Sequence, residues 1–314
     1  MNVVALAGGV GAGKLLRGLV RVTAPAGLTA VVNTADDLTI HGLHVSPDLD
    51  SVTYWLAGVA DRDRGWGRAG ETFRALEELR RIGGQAWFAL GDLDLATHLA
   101  RTQWLRDGLT LTEATARLVR SFGVEVAVLP MSDDPVRTWI ETTDERGAGR
   151  WFPFQEWWVV HGGAPDVKAI RFRGAEGAAP APGVLDAIAG ADAVLICPSN
   201  PAVSIGPILA VPGVADALRA RRETVVGISP IVAGAPLRGM ADRVMPAAGQ
   251  EVSAAGAALA YRGLLGAWVL DVRDAALVER VEREAGARTA AVDTIMVDDD
   301  AAERLARDAL EALG

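Results

Sequence analysis

Cysteine is almost missing from this chain. One residue, Cys197, stands in 314, which excludes a disulfide framework and fits a reducing compartment. It follows an apolar run and reads as structural. An excess of positive charge is missing too. Against 31 Lys and Arg there are 40 Asp and Glu, a net charge of −9, the reverse of what nucleic acid or an anionic membrane selects. A local basic pocket remains compatible with that balance. No Cys/His set has zinc spacing, and there is no internal repeat or low-complexity tail. The longest weakly polar run, Val252 to Leu270, is rich in Ala and Gly and carries Arg262. It reads as a buried helix running into a strand, not a membrane span. The opening MNVVALAGGVGAGK lacks the basic start and cleavage site of a secretory signal. A soluble, cytoplasmic protein is expected, with neither nucleic acid nor membrane as partner.

What is present is ordinary for a globular chain: 50% hydrophobic and 23% charged residues, over a length that buries roughly 75% of its unfolded surface without staples. Short apolar runs recur and end in turn-forming or polar residues. Val3–Ala7 ends at Gly8-Gly9, Ala30–Val32 at Asn33 to Asp37, and Ala86–Leu90 at Gly91-Asp92-Leu93-Asp94. Val124–Leu129 ends at Pro130 to Asp134, Ala193–Ile196 at Cys197 to Pro201, and Val225–Ile228 at Ser229-Pro230. Helical spacing lies between several of them, over Glu71–Ile82, Val214–Arg222 and Ala301–Leu313. Thr110 to Glu113 is a capping box for a helix reaching Phe122. Continuous β-runs alternating with helices predict an α/β fold with a Rossmann-like, mostly parallel sheet covered by helices on both faces. Ligands of such sheets bind beyond the carboxyl ends of the strands, so the residues closing these runs should gather on one edge.

The chain reads as a single domain over 1–314. Residues 138–183 form an expected insertion or lid with an aromatic cluster, Trp151, Phe152, Phe154, Trp157 and Trp158. That cluster could be core or could stack a flat ring. Gly58–Gly70 is a polar, Arg-rich loop.

Three stretches carry chemistry. Gly8-Gly9-Val10-Gly11-Ala12-Gly13-Lys14 follows a strand and opens a helix, so its backbone N–H groups can cradle a phosphate. It nearly matches a P-loop, but Leu15 stands where Ser or Thr would hold magnesium. From Val31 to Gly58, Asp36, Asp37, Asp48, Asp50, His41 and His44 crowd together. Buried, such charges need partners or a metal; hard oxygen ligands suit Mg²⁺ completed by substrate phosphates. On an exposed loop they would be merely solvated. Pro198-Ser199-Asn200-Pro201 and Ser204 offer hydroxyl and amide groups to a nucleotide. Ser229 and Arg238 are weaker candidates for the same ligand.

The ordered blocks GGVGAGKLLRGL, VVNTADD, HGLHVSPDLDSVTYWLAG, ALGDLDLATHLARTQWLRDG, LPMSDDPVRTWIET, FQEWW, PSNPAVSIGPILAVPG and SPIVAGAPLRGMADRVM resemble the 2-phospho-L-lactate transferase (CofD-like) family of coenzyme F-420 biosynthesis over nearly the whole chain. The resemblance implies a Mg²⁺-dependent transfer of a phospho-acid group from its guanosine diphosphate ester to the ribityl hydroxyl of the deazaflavin FO, with release of GMP. It also implies a homodimer and an inserted deazaflavin-binding region. By this reading Gly8, Gly9, Val10, Gly11, Ser199 and Asn200 hold the guanosine diphosphate part. Asp37 and Asp50 bind Mg²⁺ or orient the hydroxyl, with Asp50 as the candidate base. Asn33, Asp48, Gly91, Asp92, His98, Ser204, Ser229 and Arg238 contact substrate. The Lys that some relatives carry before the Leu-Gly-Asp turn is replaced here by Phe88-Ala89, with Arg101 as the candidate substitute. Two other readings stand beside this one. A non-catalytic nucleotide-sugar-binding regulator shares the glycine and PSNP loops, and a P-loop kinase is disfavoured by Leu15. Lactyl, enolpyruvyl and glyceryl donors are not distinguished.

Overall fold

A computed structural model describes residues 1–143 and 147–314; residues 144–146, within the expected insertion, lie outside the described residues. In chain order the strands are β1 (Val3–Ala7), β2 (Leu28–Val32), β3 (Leu38–Ile40), β4 (Leu43–Val45), β5 (Ala127–Pro130), β6 (Arg137–Thr143) and β7 (Gly149–Pro153). They continue with β8 (Val167–Arg173), β9 (Ala193–Ile196), β10 (Val225–Ile228), β11 (Ile231–Val232), β12 (Ala235–Pro236), β13 (Ala267–Asp271) and β14 (Arg288–Val292). The helices nearest the site are α1 (Gly9–Val22), α2 (Pro47–Leu56), α3 (Arg74–Arg81), α4 (Asp92–Arg106) and α5 (Leu111–Ser121).

Seven strands form the central sheet in the order β14-β13-β10-β9-β1-β2-β5, and every neighbouring pair is parallel. β1 is buried at all of its positions. Val3, Ala5 and Ala7 face one apolar layer and Val4 and Leu6 the other. A strand covered on both faces must read as an unbroken apolar run. Leu15, Leu16 and Leu19 of α1 and Leu305 of the C-terminal helix Asp299–Glu311 fill one layer. Val184, Ile208, Val214 and Val281 come from helices on the other face. The chain leaves β1 for β2 on one side and reaches β9 on the other. The crevice between their carboxyl ends is therefore the switch point of the sheet.

The Thr110–Glu113 box caps α5 with both of its hydrogen bonds made, and Val252–Leu270 resolves into the helix Ala254–Leu259 followed by β13. The run Ala86–Leu90 is not a strand. It is irregular chain, and Trp87, Phe88 and Leu90 pack against Ile40 and Val45 of the β3–β4 hairpin. The sheet position beside β2 goes to β5, and five apolar residues read alike as a strand or as packed coil. Between β6 and β8 lies a separate antiparallel sheet of order β7-β6-β8. Ile140, Phe152 and Trp157 form its inner core with Val203 and Val244. On its outer face the guanidinium groups of Arg171 and Arg173 stack over Trp151 and Trp139, at 4.6 and 3.7 Å. Among the described residues no single helix is long and apolar enough to cross a membrane.

Candidate functional site

The switch point holds the first of two clefts, of about 430 Å³. Gly8 precedes α1 in extended conformation with no side-chain cap, so the first N–H groups of the helix are left for a ligand or neighbouring groups. Gly9 has φ +72°, and a Cβ on Gly11 would stand 2.5 Å from the Pro198 carbonyl oxygen; only glycine lets the two loops close this tightly. Ser199 straps them together. Its Oγ donates to the Gly8 carbonyl (2.8 Å) and accepts from the Gly8 N–H (3.3 Å). The Asn200 side-chain Oδ1 accepts from the N–H groups of Ala202 and Val203, which leaves its amide NH₂ for a ligand. Lys14 lines the same cleft and donates to the Met296 carbonyl at 3.1 Å. Its ammonium pKa is lowered, first by burial and then by Arg238 and Arg62. Cations gathered this closely suit an anion.

A second cleft of about 460 Å³ adjoins the first, and Val10, Arg238 and Gly239 line both. Its floor is built from two helices. On α2 it takes Asp50 and Tyr54, on α4 Asp94 and His98, each pair one turn apart. Ala89, Trp66 and Trp158 add apolar surface. Arg101, 1% exposed, grips Asp50 with both guanidinium nitrogens, Nη1 at 3.0 Å from Oδ2 and Nη2 on Oδ1. Nη1 also lies 3.4 Å from His98 Nδ1. A guanidinium can only donate, so this network assigns Nδ1 as acceptor and the ring proton to Nε2. Burial holds His98 neutral, its pKa drawn down to about 4. Asp94 is 7% exposed, and its Oδ1 has no hydrogen-bond partner. Burial, and then the charge of Asp50, push its carboxyl up to about 7.

Beside these clefts the carboxylates of Asp36, Asp37 and Asp48 are buried together. Asp48 Oδ2 accepts from the Asn33 amide at 2.9 Å; burial raises its pKa to about 6, opposed by the Asn33 and Gly9 hydrogen bonds. Asp36 is raised well above the usual carboxylate range, by burial and then by its two acidic neighbours. Asp37 Oδ2 accepts from Ser46 at 2.8 Å and lies 2.9 Å from His44 Nε2. Asp36 Oδ1 and Asp37 Oδ1 are buried without a partner. Two hard oxygens without donors, on consecutive residues, suit a Mg²⁺ ligand set. No set of three acidic, His or Cys side chains converges on one point among the described residues. The remaining ligands would come from phosphate and water.

All nine residues expected around the nucleotide, Gly8, Gly9, Val10, Gly11, Ser199, Asn200, Ser204, Ser229 and Arg238, line the first cleft. Asp50 and His98 line the second. Five expected site residues border neither cleft, one of them Asp37, which lines two smaller clefts instead. Asn33 and Asp48 hold each other, and the Asn33 carbonyl oxygen accepts from the Ala35 N–H. Gly91 and Asp92 belong to a reciprocal cap. Asp92 accepts from Thr72 and from the Ala75 N–H in the first turn of α3, while Glu71 accepts from the N–H groups of Leu93 and Asp94 at the start of α4. Asp37 and Asp50, expected to share a role, stand among different partners in this structure. Residues 48 and 50 lie roughly 200° apart around α2, so Asp48 turns to the glycine loop and Asp50 to Arg101. Both Asp50 oxygens are engaged there, and the carboxylates beside Asp37 are Asp36 and Asp48. His41 is a turn residue at φ 52° in the β3–β4 hairpin. The loop Thr294 to Val297 lines the first cleft without having been expected there, whereas Lys14 and Asp94, which also line the clefts, had been named only within the glycine loop and a strand-end run. Asp94 had one signal in sequence, its one-turn spacing from His98; the loop had none.

The family model described as 2-phospho-L-lactate transferase CofD matches residues 3–312. A protein of Streptomyces griseus named phosphoenolpyruvate transferase is 48% identical over 313 residues, covering 99% of this chain and 98% of that protein. A Methanosarcina mazei protein named 2-phospho-L-lactate transferase is 41% identical over 305 residues, covering 97% and 98%. Among solved structures, a UPF0052-family protein of Bacillus halodurans shares the fold with a TM-score of 0.60 at 17% identity, over 98% of each chain.

Proposed function

The chain belongs to the 2-phospho-L-lactate transferase CofD family, and on that premise we propose that it moves a phosphoenolpyruvyl group from a guanosine diphosphate ester to the ribityl hydroxyl of FO. GMP is released, in a step of coenzyme F-420 biosynthesis. One observation carries this reading: a phosphate-type cleft and a ring-sized, partly aromatic cleft meet at Val10, Arg238 and Gly239. A donor in one and an acceptor in the other would react at that boundary. The enolpyruvyl group is preferred because relatives at 46–49% identity are named phosphoenolpyruvate transferase.

Transfer of a substituted phosphoryl group asks for positioning and charge neutralisation more than for covalent chemistry. In this proposal the N-terminus of α1, Lys14 and the Asn200 amide hold the diphosphate. Arg238, anchored on the carbonyls of Arg64 and Asp63 at 3.0 and 3.5 Å, closes the boundary. The acceptor ring lies against Trp66, Trp158 and Ala89, and His98 Nε2–H donates to its polar groups. Asp36 and Asp37 would hold Mg²⁺, which when bound neutralises phosphate charge. The resemblance supports a cytoplasmic homodimer.

The test is incubation with FO, Mg²⁺ and, separately, the enolpyruvyl, lactyl and glyceryl guanosine diphosphate esters, with mass detection. Phosphodiester and GMP should form fastest from the enolpyruvyl donor. No product from any donor would overturn the reading. Tight UDP-sugar binding without FO binding would replace it with the regulator.

A further inference from the structure

The floor of the acceptor cleft carries two buried carboxylates with opposite circumstances. Asp50 is neutralised on both oxygens by Arg101. A carboxylate held by a guanidinium is a stabilised anion and a weak proton acceptor. Asp94 stands on the facing helix, its Oδ1 buried without a donor. A bare buried oxygen is costly, and Asp94 is one of the residues lining the cleft. Its backbone is fixed, because its N–H donates to Glu71 at 3.0 Å in the first turn of α4. Gly67 packs against its other oxygen, where a Cβ would stand 3.4 Å from Oδ2. The groups acting on it from every side are Asp50 and Tyr54 of α2, and Glu71 and Arg68 of the neighbouring loops. His98 and Arg101 stand on its own helix. The Tyr54 hydroxyl donates to Thr97 at 2.9 Å; burial first, then the nearby Asp50 and Asp94 charges, raise its pKa far out of the working range, so it offers no competing base.

We propose that Asp94 is a catalytic residue that accepts the proton of the attacking acceptor hydroxyl. This rests on the transferase reading above. The hydroxyl O–H bond breaks and the proton passes to Asp94 Oδ1. The freed electron pair forms the bond to the acid-bearing phosphorus. The bond from that phosphorus to the bridging oxygen breaks, its pair leaves with GMP, and Asp94 later returns the proton to solvent. His98, neutral with its proton on Nε2, orients the acceptor without competing for that proton. A carboxyl titrating near 7 has the proton affinity general base catalysis needs at neutral pH.

The test compares wild type, Asp94→Asn and Asp94→Glu, after thermal melts and GDP binding show that the variants are folded with an intact nucleotide cleft. In wild type kcat should rise with pH through a limb near 7, as Asp94 loses its proton. Asp94→Asn should lower kcat by about 10²–10⁴-fold, change the donor KM by less than about threefold, and abolish that limb. Asp94→Glu should restore part of the rate together with the limb. An Asp94→Asn enzyme that keeps kcat within threefold, keeps the limb, or loses activity only through the KM for FO overturns the assignment and leaves the transferase reading standing. A wild-type enzyme that forms no product overturns both.

Discussion

The two clefts share a border and differ in construction. The nucleotide cleft is mostly backbone: glycine N–H groups, a proline carbonyl and a serine strap, all within a few residues of the ends of β1 and β9. The second cleft is mostly side chains, Asp50, Tyr54, Asp94 and His98, held together by the Asp50–Arg101 and Tyr54–Thr97 bonds between α2 and α4. The first is fixed by the sheet. The second is only as rigid as its buried charges are satisfied, so substitutions should separate the two.

The largest effect is expected from Arg101→Ala, which strands the buried Asp50. Breaking such a pair costs about 3–5 kcal/mol, and the melting temperature should fall by roughly 2–4 °C for each of those. FO binding should disappear, while GDP affinity should stay within a fewfold if the clefts are independent. A comparable loss of GDP affinity would break the comparison.

Asp94→Asn should act on stability in the opposite direction. A carboxyl raised from 3.8 to about 7 on folding binds its proton more tightly in the folded state. Its stabilising contribution is complete below pH 3.8 and is lost as the pH rises through 7. The variant should therefore melt with wild type near pH 4 and above it at pH 8, by at most about 4 kcal/mol. Equal melting at both pH values would show that Asp94 is not strained in the folded protein.

Gly11→Ala tests the backbone cleft alone. Its new Cβ meets the Pro198 carbonyl, an overpacking of about 1–3 kcal/mol. Calorimetry should show GDP binding weakened at least tenfold, with FO binding kept. Ser199→Ala should be mildest, about 1 kcal/mol for the lost strap, read as a small fall in both melting temperature and GDP affinity.

The same contrast explains what could be read from the chain. Gly8 to Gly11 and Ser199-Asn200 were legible because a parallel sheet places every strand end on one edge, and strand ends announce themselves in sequence. Asp94 stood in such a run, but its buried, unpartnered oxygen depends on packing that no local pattern encodes. Asp48 and Asp50 look equivalent in PDLD and diverge only through the phase of a helix. Asn33, Gly91 and Asp92 fall in chemically suggestive runs yet serve as framework, since capping a helix and binding a ligand call for the same side chains. The false strand at Ala86–Leu90 shows the limit of short apolar runs, whose state depends on a neighbour that the run does not name.

The Ser199 strap also bears on motion. It ties the Gly8 backbone to the loop after β9 through one hydroxyl, so parting those two walls means breaking both of its hydrogen bonds. On the opposite rim of the cleft Leu237 is 57% and Val297 77% exposed, on separate loops. Two exposed apolar side chains thus stand at that lip, far in sequence from the glycine loop on the other wall.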